Sequence, residues 1–250
     1  MTKSLEHAYC IPGRKPVLEL LATDAGKVDT VFIAENLDGA GEIIYRCREL
    51  RVRFRKVKRE ELDRIFSGNH QGVVARIQAL QLVSLSELTT QAHQAQFPVI
   101  LALDQIQDPG NVGTLARTLY ALGGIGLVFP KDRSAFLGPG AIKSAAGTLD
   151  KIHLCQVVNL ARALVELSAQ GFWIYGTGAQ EKSTPLFSST INFPAVLVLG
   201  NEDKGMRQGV AKHCHTILSI PMHKGFDSLN VAQAGAMVMG EMLRQHLGSI

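Results

Sequence analysis

Ser228, Leu229 and Asn230 sit in a polar loop within residues 220–240, IPMHKGFDSLNVAQAGAMVMG, just before the start of a helix. A hydroxyl, an amide and unpaired backbone donors there form a docking place for a polar small molecule. Two upstream stretches follow the same plan. Residues 104–118, DQIQDPGNVGTLART, and residues 196–206, VLVLGNEDKGM, each run from an apolar strand into a polar, glycine-bearing turn. Asn111, Arg117, Asn201 and Glu202 are their chemistry-bearing side chains.

Regular alternation from residue 99 onward positions these turns. VILALD, GLVFP, IHLCQV, FWIYGTG, AVLVLG and TILSIP read as strands. Helices are expected from about Val112, near Ala141, over NLARALVELSAQ, and over the closing VAQAGAMVMGEMLRQ. Continuous apolar strands separated by helices predict an α/β fold with a parallel sheet covered on both faces. Ligands of such sheets collect at the strands' carboxyl ends, where the turns after Asp104, Gly176, Gly200 and Pro221 lie.

The first part of the chain reads as a small α/β domain over residues 1–80. A helix over PVLELLAT follows the Pro12-Gly13 turn, and strands are expected at residues 30–34, 52–57 and 73–80. Helical spacing marks LDGAGEIIYRCREL and REELDRIF between them. Between Arg46 and Arg59 eight basic residues meet one acid, Glu49. Period-two spacing places Arg51, Arg53 and Arg55 on one strand face, either a stripe that contacts RNA phosphates or a solvated edge. His70 and Gln71 occupy a turn, where they either bond locally or meet a nucleotide. Residues 81–97 read as a linker containing a Ser84 to Glu87 capping pattern, and residues 98–250 as the second domain.

Composition narrows the class. With 250 residues, 46% hydrophobic, the chain has enough material for a substantial core. It lacks a run of about 18 apolar residues, and MTKSLEHAYCIPGRK has no apolar centre, so a soluble cytoplasmic protein is expected. Cys10, Cys47, Cys155 and Cys214 are scattered, as reduced thiols are. The formal net charge of +4 is compatible with a polyanionic partner without requiring one. No turn is a G-x-G-x-x-G or a phosphate-binding G-x-x-x-x-G-K-[ST] loop. Gly123, Gly124 and Gly126 read as a helix end feeding a strand. His213, Cys214 and His215 lack the spacing of a metal site, so no metal is expected.

Taken together, DPGNVGTLART, LGNEDKGM and IPMHKGFDSLNVA resemble the three signature motifs of the SpoU/TrmH family of SPOUT methyltransferases, in matching order and spacing. The resemblance implies transfer of a methyl group from S-adenosylmethionine to a ribose 2′-hydroxyl of RNA. It also implies a parallel-sheet SPOUT domain with a carboxyl-terminal trefoil knot, and a homodimer with the site near the subunit interface. Ala234, Ala236, Met237 and Met239 are interface or core candidates. Pro12-Gly13 with PVLELL, and HQGVVA after the basic stripe, are similar to the L30e-like RNA-binding domain of family members that modify a large-subunit rRNA guanosine.

By the same resemblance Thr177, Gly200, Asn201, Ile220 and Leu229 surround the methyl donor, and Arg117 is catalytic. Asn111 and Glu202 orient Arg117 and the ribose, while Ser228 and Asn230 shape the loop. A guanidinium stays protonated up to a pH of about 12, so Arg117 is expected to clamp phosphate and stabilise the developing alkoxide. Glu202 remains an alternative base. A tRNA ribose methyltransferase, a small-molecule methyltransferase and a non-catalytic RNA-binding module on a dimerising scaffold stay open as other readings.

Overall fold

In the computed structural model, which describes residues 10–78, 80–135, 137–178, 183–223 and 228–248, the chain divides into two units, Met1–Ala79 and Leu80–Ile250. The first begins with β1 (Cys10–Pro12), α1 (Arg14–Asp24), β2 (Val28–Ala34) and α2 (Gly41–Glu49). It ends with β3 (Phe54–Val57), α3 (Arg59–Ile65) and β4 (Val73–Ile77). Its sheet has the order β1-β4-β2-β3, with β4 antiparallel to β1 and β2, and β3 parallel to β2. Leu62 of α3 packs with Phe32, Val57 and Val74 of the sheet, and Val17 and Leu21 of α1 are buried as well.

The arginine stripe is not formed. Leu50 caps α2, Arg51 follows at φ 56°, and the Val52 amide donates back to the Cys47 carbonyl, so Arg51 closes a helix and β3 begins only at Phe54. Arg53 is bonded to Asp29, which also holds Arg76, and Arg55 lies 3.8 Å from Glu61. Burial raises the Asp29 pKa, but the hydrogen bond and charge of Arg76, with the charge of Arg53, outweigh it and leave the carboxyl below its ordinary value.

In the second unit β5 (Val99–Asp104), β6 (Gly126–Pro130), β7 (His153–Val157), β8 (Trp173–Thr177), β9 (Thr184–Pro185), β10 (Ala195–Gly200) and β11 (Thr216–Ser219) form an all-parallel sheet, ordered β7-β6-β5-β10-β8-β11-β9. The helices are α4 (Leu85–His93), α5 (Pro109–Ala121), α6 (Pro139–Ala145), α7 (Leu160–Ala169), α8 (Gln208–Ala211) and α9 (Val231–Leu247). Every residue of β5 and β10 is buried, which is why these strands read as unbroken apolar runs. The chain lays β6 and β7 outward from β5, then returns to β8 and inserts β10 between β5 and β8. That reversal opens a ligand crevice at the carboxyl ends.

The segment expected as a linker is built into this unit. Ser84 Oγ accepts from the Glu87 amide at 3.1 Å, and Leu88 and Ala92 of α4 enter the core beside Leu164, Leu167, Phe172 and Ile174. The cysteines form no disulfide among the described residues, and burial pushes the Cys47 and Cys155 thiols up to about 11 and Cys214 to about 12. Among the described residues no helix is long and apolar enough to cross a membrane.

Helix α9 is held at its far end by charge. Glu241, 8% exposed, accepts from Arg244 Nε and Nη2 and from Gln245 Nε2, each at 2.8 Å. The Arg244 hydrogen bonds foremost, then Gln245, hold the carboxyl at about 2, below the ordinary 4.5. A depressed folded-state pKa contributes stability that is present above 4.5 and lost as pH falls toward 2. Glu241→Gln is therefore expected to melt below wild type at neutral pH, with the gap closing through that window. A gap that holds constant across a pH series of melting curves rules the charge out.

Candidate active site

Beyond Gly200 the chain leaves β10 and folds back on itself. The Asn201 and Gly205 amides donate to each other's carbonyls at 3.2 and 2.9 Å, and Asn201 Oδ1 accepts from the Asp203 and Lys204 amides at 3.1 Å. A Cβ on Gly200 would stand 2.4 Å from the Met206 nitrogen, so only glycine permits this return. The loop is bolted to β5. Asp104, fully buried, accepts from the Arg207 amide and Nε at 2.8 Å and lies 2.6 Å from Nη2. A carboxylate sealed from water requires such a partner, and this pair fixes where Asn201 and Glu202 stand.

Helix α5 brings the first motif to the same edge. Asp108 caps it by accepting from the Gly110 and Asn111 amides, and Pro109 fills a first-turn position that needs no donor. Asn230 caps α9, its Oδ1 accepting from Ala232 and Gln233 at 2.9 and 3.3 Å. The cap leaves the Asn230 amide hydrogens free to donate to Asn111 Oδ1 at 3.0 Å. Asn111 Nδ2 in turn donates to Glu202 Oε1 at 2.7 Å. Asn201 Nδ2 donates to Glu202 Oε2 at 3.3 Å and to the Gln105 carbonyl at 3.1 Å. Three loops distant in sequence are thus tied by one relay, whose direction is set by the helix amides at one end and the carboxylate at the other.

Beside the relay opens a pocket. Thr177, Gly200, Asn201, Ile220 and Leu229 all line it, together with Glu202 and Ser228. Sequence reasoning did not assign Leu218, Met222, Val231 and Ala234 to the site, although they complete its apolar walls; Met222 and Val231 lie within the third motif, and Leu218 and Ala234 just beside it. Asp104 and Arg207 were missed as anchors because their pairing spans 103 positions. Backbone groups at three strand ends, apolar walls, and a carboxylate with amides at the rim suit a ligand that is part apolar ring and part polar chain. Lys224 to Asp227 of the third motif lie outside the described residues.

Arg117 is not part of this assembly within one chain. It is exposed on α5, outside the pocket lining and the relay. Met239 belongs to the core, whereas Met237 is 42% exposed. In the first unit His70 is 3% exposed, with Nε2 2.9 Å from Asp63 Oδ1 and Nδ1 accepting from the Gly72 amide at 3.0 Å. So sealed, its ring is a local hydrogen-bonding group and not a stacking surface for RNA. Gln71 is exposed at φ 50°. His215 is likewise structural, accepting from the Ile174 amide and meeting Ser168 Oγ. No group of three metal-ligating side chains occurs among the described residues.

Comparison with known proteins gives the same outline. Residues 98–240 match the family model described as the SpoU rRNA Methylase family, and residues 10–83 match that described as RNA 2′-O ribose methyltransferase substrate binding. The chain is 35% identical over 246 residues to the 23S rRNA (guanosine-2′-O-)-methyltransferase RlmB of Pseudomonas syringae pv. tomato, covering 96% of each. Against the protein of that name from Pseudomonas putida it is 38% identical over 249 residues, covering 96% of this chain and 97% of that one. Among solved structures, the AdoMet-bound rRNA methyltransferase of Sinorhizobium meliloti shares the fold with a TM-score of 0.64 at 23% identity, covering 94% of this chain and 87% of that one. The SpoU methyltransferase AviRb of Streptomyces viridochromogenes, in complex with AdoMet, does so with a TM-score of 0.64 at 22% identity, covering 96% and 90%.

Proposed function

The chain belongs to the SpoU rRNA Methylase family, and from that membership we infer that it transfers a methyl group from S-adenosylmethionine to a ribose 2′-hydroxyl of RNA, its target a guanosine of 23S rRNA. The observation that carries this reading is the convergence of the three motif loops on one pocket, tied by the Asn230, Asn111 and Glu202 relay. The choice of 23S rRNA is supported by relatives of that activity aligned along nearly the whole of both chains. The match of residues 10–83 to a substrate-binding model supports the RNA.

The pocket fits the methyl donor. Leu218, Ile220, Leu229 and Val231 offer an apolar bed for an adenine, and Gly200 brings backbone close where a Cβ would collide. When bound, S-adenosylmethionine supplies an electrophilic methyl carbon on a sulfonium. This chain's own task is to align the ribose oxygen and ease the loss of its proton. Alignment alone lowers such a barrier by roughly 7–11 kcal/mol. Both Glu202 oxygens already accept from amides, so its main work is to orient Asn111 toward the ribose. Arg117 clamps the target phosphate and stabilises the developing alkoxide, and phosphate or solvent takes the proton. A trefoil knot at the carboxyl end, a homodimer that brings Arg117 to a neighbour's pocket, and action in the cytoplasm go with the same reading.

Titration calorimetry with S-adenosylmethionine and mapping of 2′-O-methyl sites in 23S rRNA, with and without the protein, test it. Binding heat and one guanosine that loses its methyl group are expected. Absence of binding heat makes the chain a scaffold. Methyl groups lost from tRNA alone move the target.

A further inference from the structure

At one edge of the first sheet the parallel strands β1, β2 and β3 end and β4 begins, and a cavity of about 770 Å³ opens there. Arg14, Lys58 and Arg59 line it with Asn36, Leu37 and Gln71. The volume suits a single nucleotide, since small-ligand clefts run from about 300 to 1,000 Å³. Several of the unit's other surface cations are already paired. Arg46 pairs with Glu49, Arg53 and Arg76 with Asp29, and Arg55 with Glu61, whereas Arg14, Lys58 and Arg59 form no ion pair among the described residues; Lys15, Arg48, Arg51, Lys56 and Arg64 form none either but do not line the cavity.

Local structure aims these groups. Gly39, at φ 76°, would carry a Cβ only 3.2 Å from Arg14 Nη1, so the turn after β2 makes room for the guanidinium. Gln71 is held in the left-handed region at φ 50°, a conformation that strains a non-glycine residue, and its Oε1 accepts from the Arg14 amide at 3.4 Å. The first turn of α1 has no acidic residue, and Gly13 offers no side-chain cap, so the positive end of that helix adds to the field. Glu35 and Glu60 also line the cavity, leaving three cations against two carboxylates. That balance favours a phosphate seated against the cations and disfavours one elsewhere along the rim.

Resting on the RNA reading above, we propose that this cleft seats one unstacked nucleotide of the substrate RNA, its phosphates on Arg14, Lys58 and Arg59 and its base edge on the Asn36 and Gln71 amides. Each amide offers a donor and an acceptor, as a Watson–Crick edge requires, and with no aromatic side chain in the lining among the described residues the base is read by hydrogen bonds rather than stacking. A fully paired helix cannot insert a base into such a concavity. The substrate segment held here is therefore a loop, bulge or single strand.

The test uses the full-length protein and an unmodified 23S rRNA transcript. Arg14→Ala with Lys58→Ala is expected to weaken RNA binding about tenfold or more, and to lower the slope of log affinity against log salt by about 0.7 for each phosphate contact removed. S-adenosylmethionine affinity and kcat at saturating RNA stay at wild-type values. Gln71→Gly, which relieves the backbone and so folds at least as well, is expected to raise KM for RNA alone. An oligonucleotide with an unpaired loop competes for the wild type better than a duplex of equal length. The inference is overturned if the double variant and Gln71→Gly bind the transcript within twofold of wild type, or if Arg53→Ala with Arg55→Ala takes the loss instead. Failure of the wild type to methylate a transcript that it binds overturns the function and leaves the cleft to be judged on these affinities.

Discussion

Glu202→Gln lowers kcat by about 10- to 100-fold while methyl-donor affinity stays within about threefold, because the variant reverses one hydrogen bond in a relay that cannot absorb the reversal. Glu202 now accepts from two amides, Asn111 Nδ2 on one oxygen and Asn201 Nδ2 on the other. Glutamine offers one acceptor and one donor. If its NH2 faces Asn201, two donors meet there, and Asn201 cannot flip because its Oδ1 accepts from the Asp203 and Lys204 amides; if its NH2 faces Asn111, two donors meet there, and an Asn111 that flips to answer turns its own NH2 on the NH2 of Asn230. Asn230 is unable to flip without abandoning the Ala232 and Gln233 amides that it caps. One unsatisfied donor costs about 1–3 kcal/mol, and each 1.4 kcal/mol, roughly, is tenfold in rate. Asn111→Ala breaks the same relay, so the double variant is expected to lose much less than the product of the two losses. Steady-state kinetics with both substrates, alone and in the double-mutant cycle, read this directly. The pH profile separates the remaining alternative. A positioning role leaves the rise of kcat with pH in place in Glu202→Gln, whereas its disappearance makes Glu202 the proton acceptor.

Much of this architecture was legible because its signals are local. VILALD and AVLVLG are buried on both faces and so are continuous in sequence, and Ser84, Asp108, Asn159 and Asn230 each cap a helix with their own side chains. What escaped depends on partners far away. Insertion of β10 between β5 and β8 joins segments nearly a hundred residues apart, and no periodicity records it. Helix α4 looked like linker because its interior contribution is small and flanked by polar residues, yet Leu88 and Ala92 are completely buried. Arg51, Arg53 and Arg55 alternate as a strand face does, but the first of them terminates a helix. Of the two readings open for His70, local bonding holds, but its partners, Asp63 and the Gly72 amide, are seen only in three dimensions. At the site, the motifs pointed to Arg117, which the fold leaves outside the relay, and to Asn111, Glu202 and Asn230, which it ties together. The direction of the relay through them, and the Asp104 to Arg207 bolt behind it, exist only in three dimensions.

Arg117→Ala and Glu202→Ala, each nearly inactive alone, are expected to restore activity when their chains are mixed and allowed to exchange. Arg117 is exposed and stands outside the pocket and relay of its own chain, so a site that uses it is completed by a neighbour. In a two-fold dimer each pocket would then combine Glu202 of one protomer with the arginine of the other. A mixed dimer holds one pocket carrying both substitutions and one carrying neither. Random pairing of equal amounts makes half the dimers mixed, and half of their pockets intact, so about a quarter of wild-type turnover returns. If the two residues serve one pocket from the same chain, no pairing yields an intact site and the mixture stays dead. Arg117→Lys sharpens the chemical half of the claim. Lysine keeps the charge but not the planar pair of donors that grips a phosphate and follows charge onto the ribose oxygen. A loss of about a hundredfold in kcat, with RNA affinity nearly intact, is expected for an interaction made mainly in the transition state. Near-normal turnover in Arg117→Lys would leave only a point charge at work, and the bidentate clamp would be the wrong description.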